Sequence, residues 1–216
     1  MKNFFSYDPK LLVYGFLIVF FASYGQTFFI SLFNTEIRLY YGLTDGEFGF
    51  VYAISTLFSS FFLISFAKLI DHIDLRTYSL IVTVGLLLAC IGMVLLINNI
   101  FYLFIIIFML RFFGQGAMTH AGETTMARYF GSNRGKALSI ATLGGMAGVM
   151  FLPYISLNYF TNIEMKQLWF YASISIIVFI PFIFLALSGQ KARHNKFDQG
   201  LTNDPLNLKL RTRDII

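Results

Sequence analysis

The sequence predicts an all-α integral membrane protein, and three observations carry that prediction. Of 216 residues, 57% are hydrophobic and only 12% charged, and the charges fall in short stretches between long apolar runs. A soluble domain is usually about 45–50% apolar and about 25% charged. The mean hydropathy of +0.70 and the 27 Phe residues fit helices that face lipid.

A bilayer core of about 30 Å needs about 20 apolar helical residues. Apolar runs of that size predict spans at residues 11–33, 47–68, 77–97, 100–127, 136–158 and 167–188, so that residues 1–190 form one six-helix bundle. The third and fourth spans need separating. Thr77 to Leu110 is a 34-residue stretch without Lys, Arg, Asp or Glu, about 50 Å as one helix at 1.5 Å per residue. That is too long for one span, and Asn98-Asn99 is the natural break because Asn favours turns and helix caps. Span four then runs from Ile100 past Arg111, which lies about 16 Å inside it, near the bilayer midplane.

Six spans leave both termini on one side. With the N-terminus inside, thirteen of the Lys and Arg residues fall on inner segments and only Arg38 and Lys166 on outer loops. Excess cytoplasmic Lys and Arg orients membrane proteins, which predicts a multi-pass protein of the cell membrane with N- and C-termini cytoplasmic. The opening MKNFFSYDPK lacks an A-x-A-like cleavage site and reads as a leader into the first span, not a signal peptide. Residues 191–216 turn polar and basic, as in a cytoplasmic linker able to touch anionic membrane lipids.

Composition also excludes several classes. A formal charge of +5 and a pI near 9.3 are dispersed along the chain and not clustered on a soluble fold, so no nucleic-acid partner is predicted. Cys90 is the lone cysteine and sits in an apolar run, giving no disulfide framework and no zinc spacing. His72, His120 and His194 lie on separate segments; no metal, no cofactor and no catalytic residue is predicted, so the chain does not read as an enzyme. The G-x-x-x-G of Gly144 and Gly148, with Gly145 between them, reads as close helix packing.

Polar residues inside spans are costly unless they face protein or a water-filled cavity. Ser23, Gln26, Thr27 and Asn34 fall on one face of an ideal first span, and Tyr52, Ser55, Thr56 and Ser59 on one face of the second. In the fourth, a step of about 100° per residue puts Gln115, Met118 and Gly122 within about 40° of Arg111, His120 opposite and Glu123 about 120° away. Snorkelling serves charges near helix ends, so Arg111 reads as a bundle-interior or cavity residue. The predicted substrate or coupling residues are Arg111, Gln115, Gln26, Tyr52 and Ser55.

AKLIDHIDLR, between spans two and three, resembles the signature loop of the major facilitator superfamily, with Leu69, Asp71 and Arg76 at matching positions. LRFFGQG in span four resembles a second signature of that family, and RYFGSNRGKALSIATLGG its fourth-to-fifth connection. Span five carries Gly144, Gly145, Gly148 and Pro153 but not the Gly-Pro pair of the antiporter signature. FGQTFFISLF and RFFGQG are most similar to the branch of monocarboxylate and oxalate/formate carriers.

The resemblance implies one half of a transporter fold, a 3+3 inverted repeat, with Asp71 and Arg76 in a cytoplasmic gate cluster and Arg111 acting on substrate or coupling. It implies a small polar solute, an organic anion drawn to Arg111, moved by alternating access with proton or counter-solute coupling. It also implies a second six-helix half as partner, because the chain ends in what resembles the central loop. The alternatives are a half-size membrane interaction or regulatory protein and, less in keeping with the absence of paired catalytic groups, a membrane-embedded enzyme.

Overall fold

A computed structural model describes residues 8–159 and 164–190, with 193 and 195; the side chains of residues 157–159 lie outside the description. Six helices are long and apolar enough to cross a membrane: span 1 (Pro9–Ser31), span 2 (Asp45–Asp71), span 3 (Leu75–Leu95), span 4 (Ile100–Tyr129), span 5 (Gly131–Ser156) and span 6 (Met165–Ala186). No strand occurs among the described residues. Of the predicted linker, residues 191–216, only Arg193 and Asn195 are described.

Local chemistry accounts for the helix starts. The Asp8 carboxylate accepts from the Leu11 amide at 3.1 Å, and Pro9 supplies a helical φ in the first turn. Thr44 and Glu47 form a reciprocal capping box at the head of span 2. Asp74 caps span 3 through the Arg76 amide. Asn99 caps span 4 through the amides of Phe101 and Tyr102, at 2.8 and 3.2 Å.

The stretch read from sequence as an outer loop is partly helical. Asn34–Tyr41 forms two turns and ends at Gly42, whose φ of 65° suits a residue without a Cβ. Arg38 holds it, donating from Nε to Asn34 one turn back at 3.0 Å and pairing with Asp45 at 3.1 Å.

The main contacts between spans follow an approximate exchange of the first three spans with the last three. Exchanging spans 1, 2 and 3 with 4, 5 and 6 carries the 1–5 contact onto 4–2 and the 1–6 contact onto 4–3, while 1–4 and 3–6 map onto themselves. Spans 1 and 4 are the central pair, touching nearly all the others. Span 2 is the least buried, with Phe50, Leu57 and Phe61 exposed.

Small residues bring span 5 against span 1. A Cβ on Gly144 would stand 2.0 Å from the Phe16 carbonyl oxygen, one on Gly148 would stand 2.0 Å from the Ser23 hydroxyl, and one on Gly145 3.3 Å from Val19. Without a hydrophobic force between helices in lipid, such close approach supplies the packing energy.

Neither central span is a continuous α-helix. Span 1 is α-helical over Pro9–Ala22, tightens to a 3₁₀ turn at Ser23–Gly25, is extended at Gln26 and resumes over Thr27–Ser31. Span 4 is α-helical over Ile100–Met109 and Thr119–Tyr129, with a π-helix at Leu110–Met118 between them. The two irregular segments lie against each other.

Candidate functional site

Two glycines make that meeting possible. A Cβ on Gly25 would lie 2.1 Å from the Leu110 carbonyl oxygen and 2.7 Å from the Gly114 Cα; one on Gly114 would lie 2.7 Å from the Gly25 Cα. Backbone therefore rests on backbone, with no side chain between to yield.

The crossing fixes Arg111. Its Nη1 donates to the Gly25 carbonyl at 3.4 Å and to the Thr27 hydroxyl at 3.0 Å, and the guanidinium carbon lies 5.3 Å from the centre of the Tyr52 ring. The Tyr52 hydroxyl donates to the same Thr27 oxygen at 2.9 Å. A carbonyl, a hydroxyl and an aromatic face are all weak counterparts to a full positive charge. Arg111 is only 7% exposed, and among the described residues no carboxylate pairs with it.

A cleft of about 260 Å³ opens between spans 2 and 4 beside this cation, lined by Thr56, Ser59, Arg111, Gln115, Thr119, His120 and Glu123 among others. Four buried polar atoms there have no hydrogen-bond partner: Arg111 Nε, Gln115 Oε1, Thr56 Oγ1 and Thr119 Oγ1. Buried polar atoms normally find partners, so four without one around a single cleft is an unusual concentration.

The helical wheel misplaced several residues. Met118 is fully buried and Gly122 packs on Ile18 and Val19, whereas His120 and Glu123 share the cleft with Arg111. A π-helix bonds residue i to i+5, so the step of about 100° per residue fails across Leu110–Met118.

The predicted stripe on span 1 divides at its break. Ser23 packs on Gly148, while Thr27 reaches Arg111. Gln26 occupies the extended residue of the break and is half-buried. On span 2, Tyr52 stands over Arg111 and Thr56 and Ser59 line the cleft, but Ser55 is turned away. Its hydroxyl is fully buried and directed at the carbonyls of Val51 and Phe104, at 2.8 and 3.2 Å.

The predicted gate residues lie at the end of the bundle where spans 1 and 4 have Pro9 and Tyr129. Asp71 accepts from Arg128, which also donates to the Ile70 carbonyl at 3.5 Å. Arg76 is separate from that pair, its guanidinium 4.3 Å above the Phe184 ring. At the same end Arg193 pairs with Asp8 through two bonds of 2.5 and 3.1 Å, tying the chain beyond span 6 to the head of span 1. Arg128, Gly25 and Thr27 were not among the predicted site residues. The signal for the first was a basic residue ending span four; for the others it was Gly-Gln-Thr interrupting an apolar helix.

The family model described as Major Facilitator Superfamily matches residues 15–213. The chain belongs to the Major Facilitator Superfamily. It is thus a multi-pass membrane protein of a transporter superfamily, and the six spans correspond to one six-helix half of that fold. No curated protein and no solved structure matches it.

Proposed function

We propose that this transporter moves a small organic anion by alternating access, with Arg111 as the group that receives the anionic end. The carrying observation is the incomplete neutralisation of a buried guanidinium beside a polar cleft with four unpartnered atoms. A carboxylate entering the cleft would give Arg111 Nε an acceptor and meet the Thr56 and Thr119 hydroxyls. Charge-assisted hydrogen bonds of this kind are the strong ones, and Arg offers them to carboxylates in pairs.

The cleft is smaller than the roughly 300–1,000 Å³ of most ligand pockets, which suits a small solute or one half of a site. In the full reading a second six-helix half closes the other side, and the transported solute is enclosed between the two at mid-membrane depth. The likeness of FGQTFFISLF and RFFGQG to monocarboxylate and oxalate/formate carriers supports a short carboxylate. The distribution of Lys and Arg supports cytoplasmic termini in the cell membrane. A proton or a counter-solute supplies the coupling, and His120 and Glu123 are the titratable groups within the cleft.

Uptake of labelled formate, acetate, lactate and oxalate into proteoliposomes tests the reading. Losing one charge-assisted contact costs about 1.5–3 kcal/mol, so Arg111→Gln should lower apparent affinity about 10- to 100-fold. Arg111→Lys keeps the charge but not the paired geometry and should fall between. Undiminished carboxylate uptake by Arg111→Gln would remove Arg111 from the role.

A further inference from the structure

A membrane-spanning helix needs no π segment, since α-helical bonding already satisfies every backbone group in lipid. π-Helices are rare, appear mostly as single-turn bulges, and are frequent at functional sites. Here one occupies all of Leu110–Met118, in the middle of span 4 and against the broken part of span 1. It separates two features that share this one helix: Arg111 lies within the π segment, and Arg128 lies beyond it, holding Asp71 and the Ile70 carbonyl.

We propose that Leu110–Met118 is a register switch that couples the Arg111 cleft to the Asp71–Arg128 contact. In the observed register, Arg111, His120 and Glu123 line one cleft. Reversion to α-helix would remove the excess residues per turn, turning Thr119–Tyr129 by up to about 100° and sliding it about 1.5 Å for each residue of register. His120 would then stand opposite Arg111 and Glu123 about 120° away, as an uninterrupted helix dictates. The same turn carries Arg128 away from Asp71 and Ile70. The two ends are linked through the segment itself, because the helix Thr119–Tyr129 that carries Arg128 turns with its register.

Local structure suits such a switch. Gly114 and Gly116 lie inside the segment, where Gly lowers the preference for α-helix. Toward span 1, Gly114 meets the backbone of Gly25, so that crossing is smooth, while Leu63 on Gly116 and Phe113 on Gly85 are the side chains that must shift when the register changes. Arg111 holds the observed register from one side through Gly25 and Thr27, and Arg128 holds it from the other. A group that takes Arg111 from the Gly25 carbonyl biases the register, and with it the contact at the far end. That is coupling through a single element with two arrangements, the form in which a coupling claim has physical content.

The test needs no solute, so its failure and the failure of the anion reading are distinguishable. Cys90 is the only cysteine and is buried; in a Cys90→Ala background one cysteine pair replaces Asp71 and Arg128, and a control pair replaces Asp8 and Arg193. Bridging of each pair by a short bis-thiosulfonate is timed in proteoliposomes. Two changes are then compared at mid-span: Arg111→Gln, which releases its hold, and the same change with Phe113 deleted, which removes a surplus residue so that the segment can become α-helical without turning Thr119–Tyr129. Arg111→Gln should slow bridging of the first pair about threefold, and the added deletion should return it to near the parent rate, with the control pair within about twofold, as expected of a shifted two-state population. Loss of both pairs in the deletion means that this variant misfolds, and Arg111→Gln then decides. Unchanged bridging of both pairs in Arg111→Gln overturns the switch.

Discussion

Charge is held differently at the middle of the bundle and at the end where Asp8 and Tyr129 lie. At mid-span Arg111 is nearly buried and is met by a backbone carbonyl, a hydroxyl and a tyrosine ring. At the Asp8 end Arg128 and Arg193 each find a carboxylate, Asp71 and Asp8. Carboxylates complete those pairs and leave them little need of a further ligand. The mid-span cation is left with capacity, and its surroundings are too tightly built to collapse around it. One region closes its charges in pairs, and the other, under the proposed function, receives an anion.

If that contrast is real, the largest penalty should come from the glycine crossing that builds the mid-span region. Gly25→Ala would place a methyl 2.1 Å from the Leu110 carbonyl oxygen, and no flexible side chain stands there to yield. Overpacking usually costs about 1–3 kcal/mol, and the clash with backbone should put this case at about 3 kcal/mol or more. Gly46→Ala and Gly135→Ala, which meet nothing within 4 Å, should change stability by no more than about 0.5 kcal/mol. Melting temperatures in one detergent compare the three. Near-equal values would mean that spans 1 and 4 do not cross as closely as described.

Next in size is Thr27→Val, which keeps the shape but removes the oxygen that accepts from both Arg111 and Tyr52. Leaving the Tyr52 hydroxyl unmatched and Arg111 Nη1 with the Gly25 carbonyl alone should cost about 1–3 kcal/mol, and Thr27→Ser should restore most of it. Anion affinity should fall with Thr27→Val as Arg111 loses its fixed position, a readout that damage confined to packing would not share. Asp8→Ala follows at about 1–2 kcal/mol, combining a lost helix cap with a mostly buried ion pair. Asp8→Asn retains a capping oxygen and should separate the two contributions, leaving carboxylate uptake unchanged.

The same contrast explains how far the sequence could be read. Six spans were legible because lipid demands long apolar helices and tolerates few charges between their ends. Arg111 was legible as a charge beyond a long apolar run, and Asp71 through a motif. What surrounds them was not. Reading faces from a helical wheel assumes an unbroken α-helix, and both central spans break that rule: span 1 at Ser23–Gly25 and Gln26, span 4 at Leu110–Met118. His120 and Glu123 were therefore assigned to the wrong side. The partner of Asp71 lies 57 positions along the chain in Arg128, and no local pattern joins them. Ser55 shows the opposite difficulty, since a serine in a span looks the same whether it lines a cavity or, as here, bonds carbonyls.

The smallest stability effect should come from Asp71→Asn, and its smallness is informative. The Asp71 side chain is 56% exposed and that of Arg128 17%; exposed pairs typically contribute about 0–1 kcal/mol. Melting should shift little, and less still at high salt, where screening weakens what remains. Transport should respond more. A contact worth under about 1 kcal/mol can change the balance of two bundle states severalfold without approaching the energy of folding. Asp71→Asn should therefore change carboxylate uptake rate several times more than Asp8→Asn, although both remove one carboxylate charge from the same end. Equal uptake in the two variants would mean that the Asp71–Arg128 pair only braces the bundle, as Asp8–Arg193 does. Unequal uptake with equal melting would separate a contact that holds the fold from one that sets which state the fold occupies.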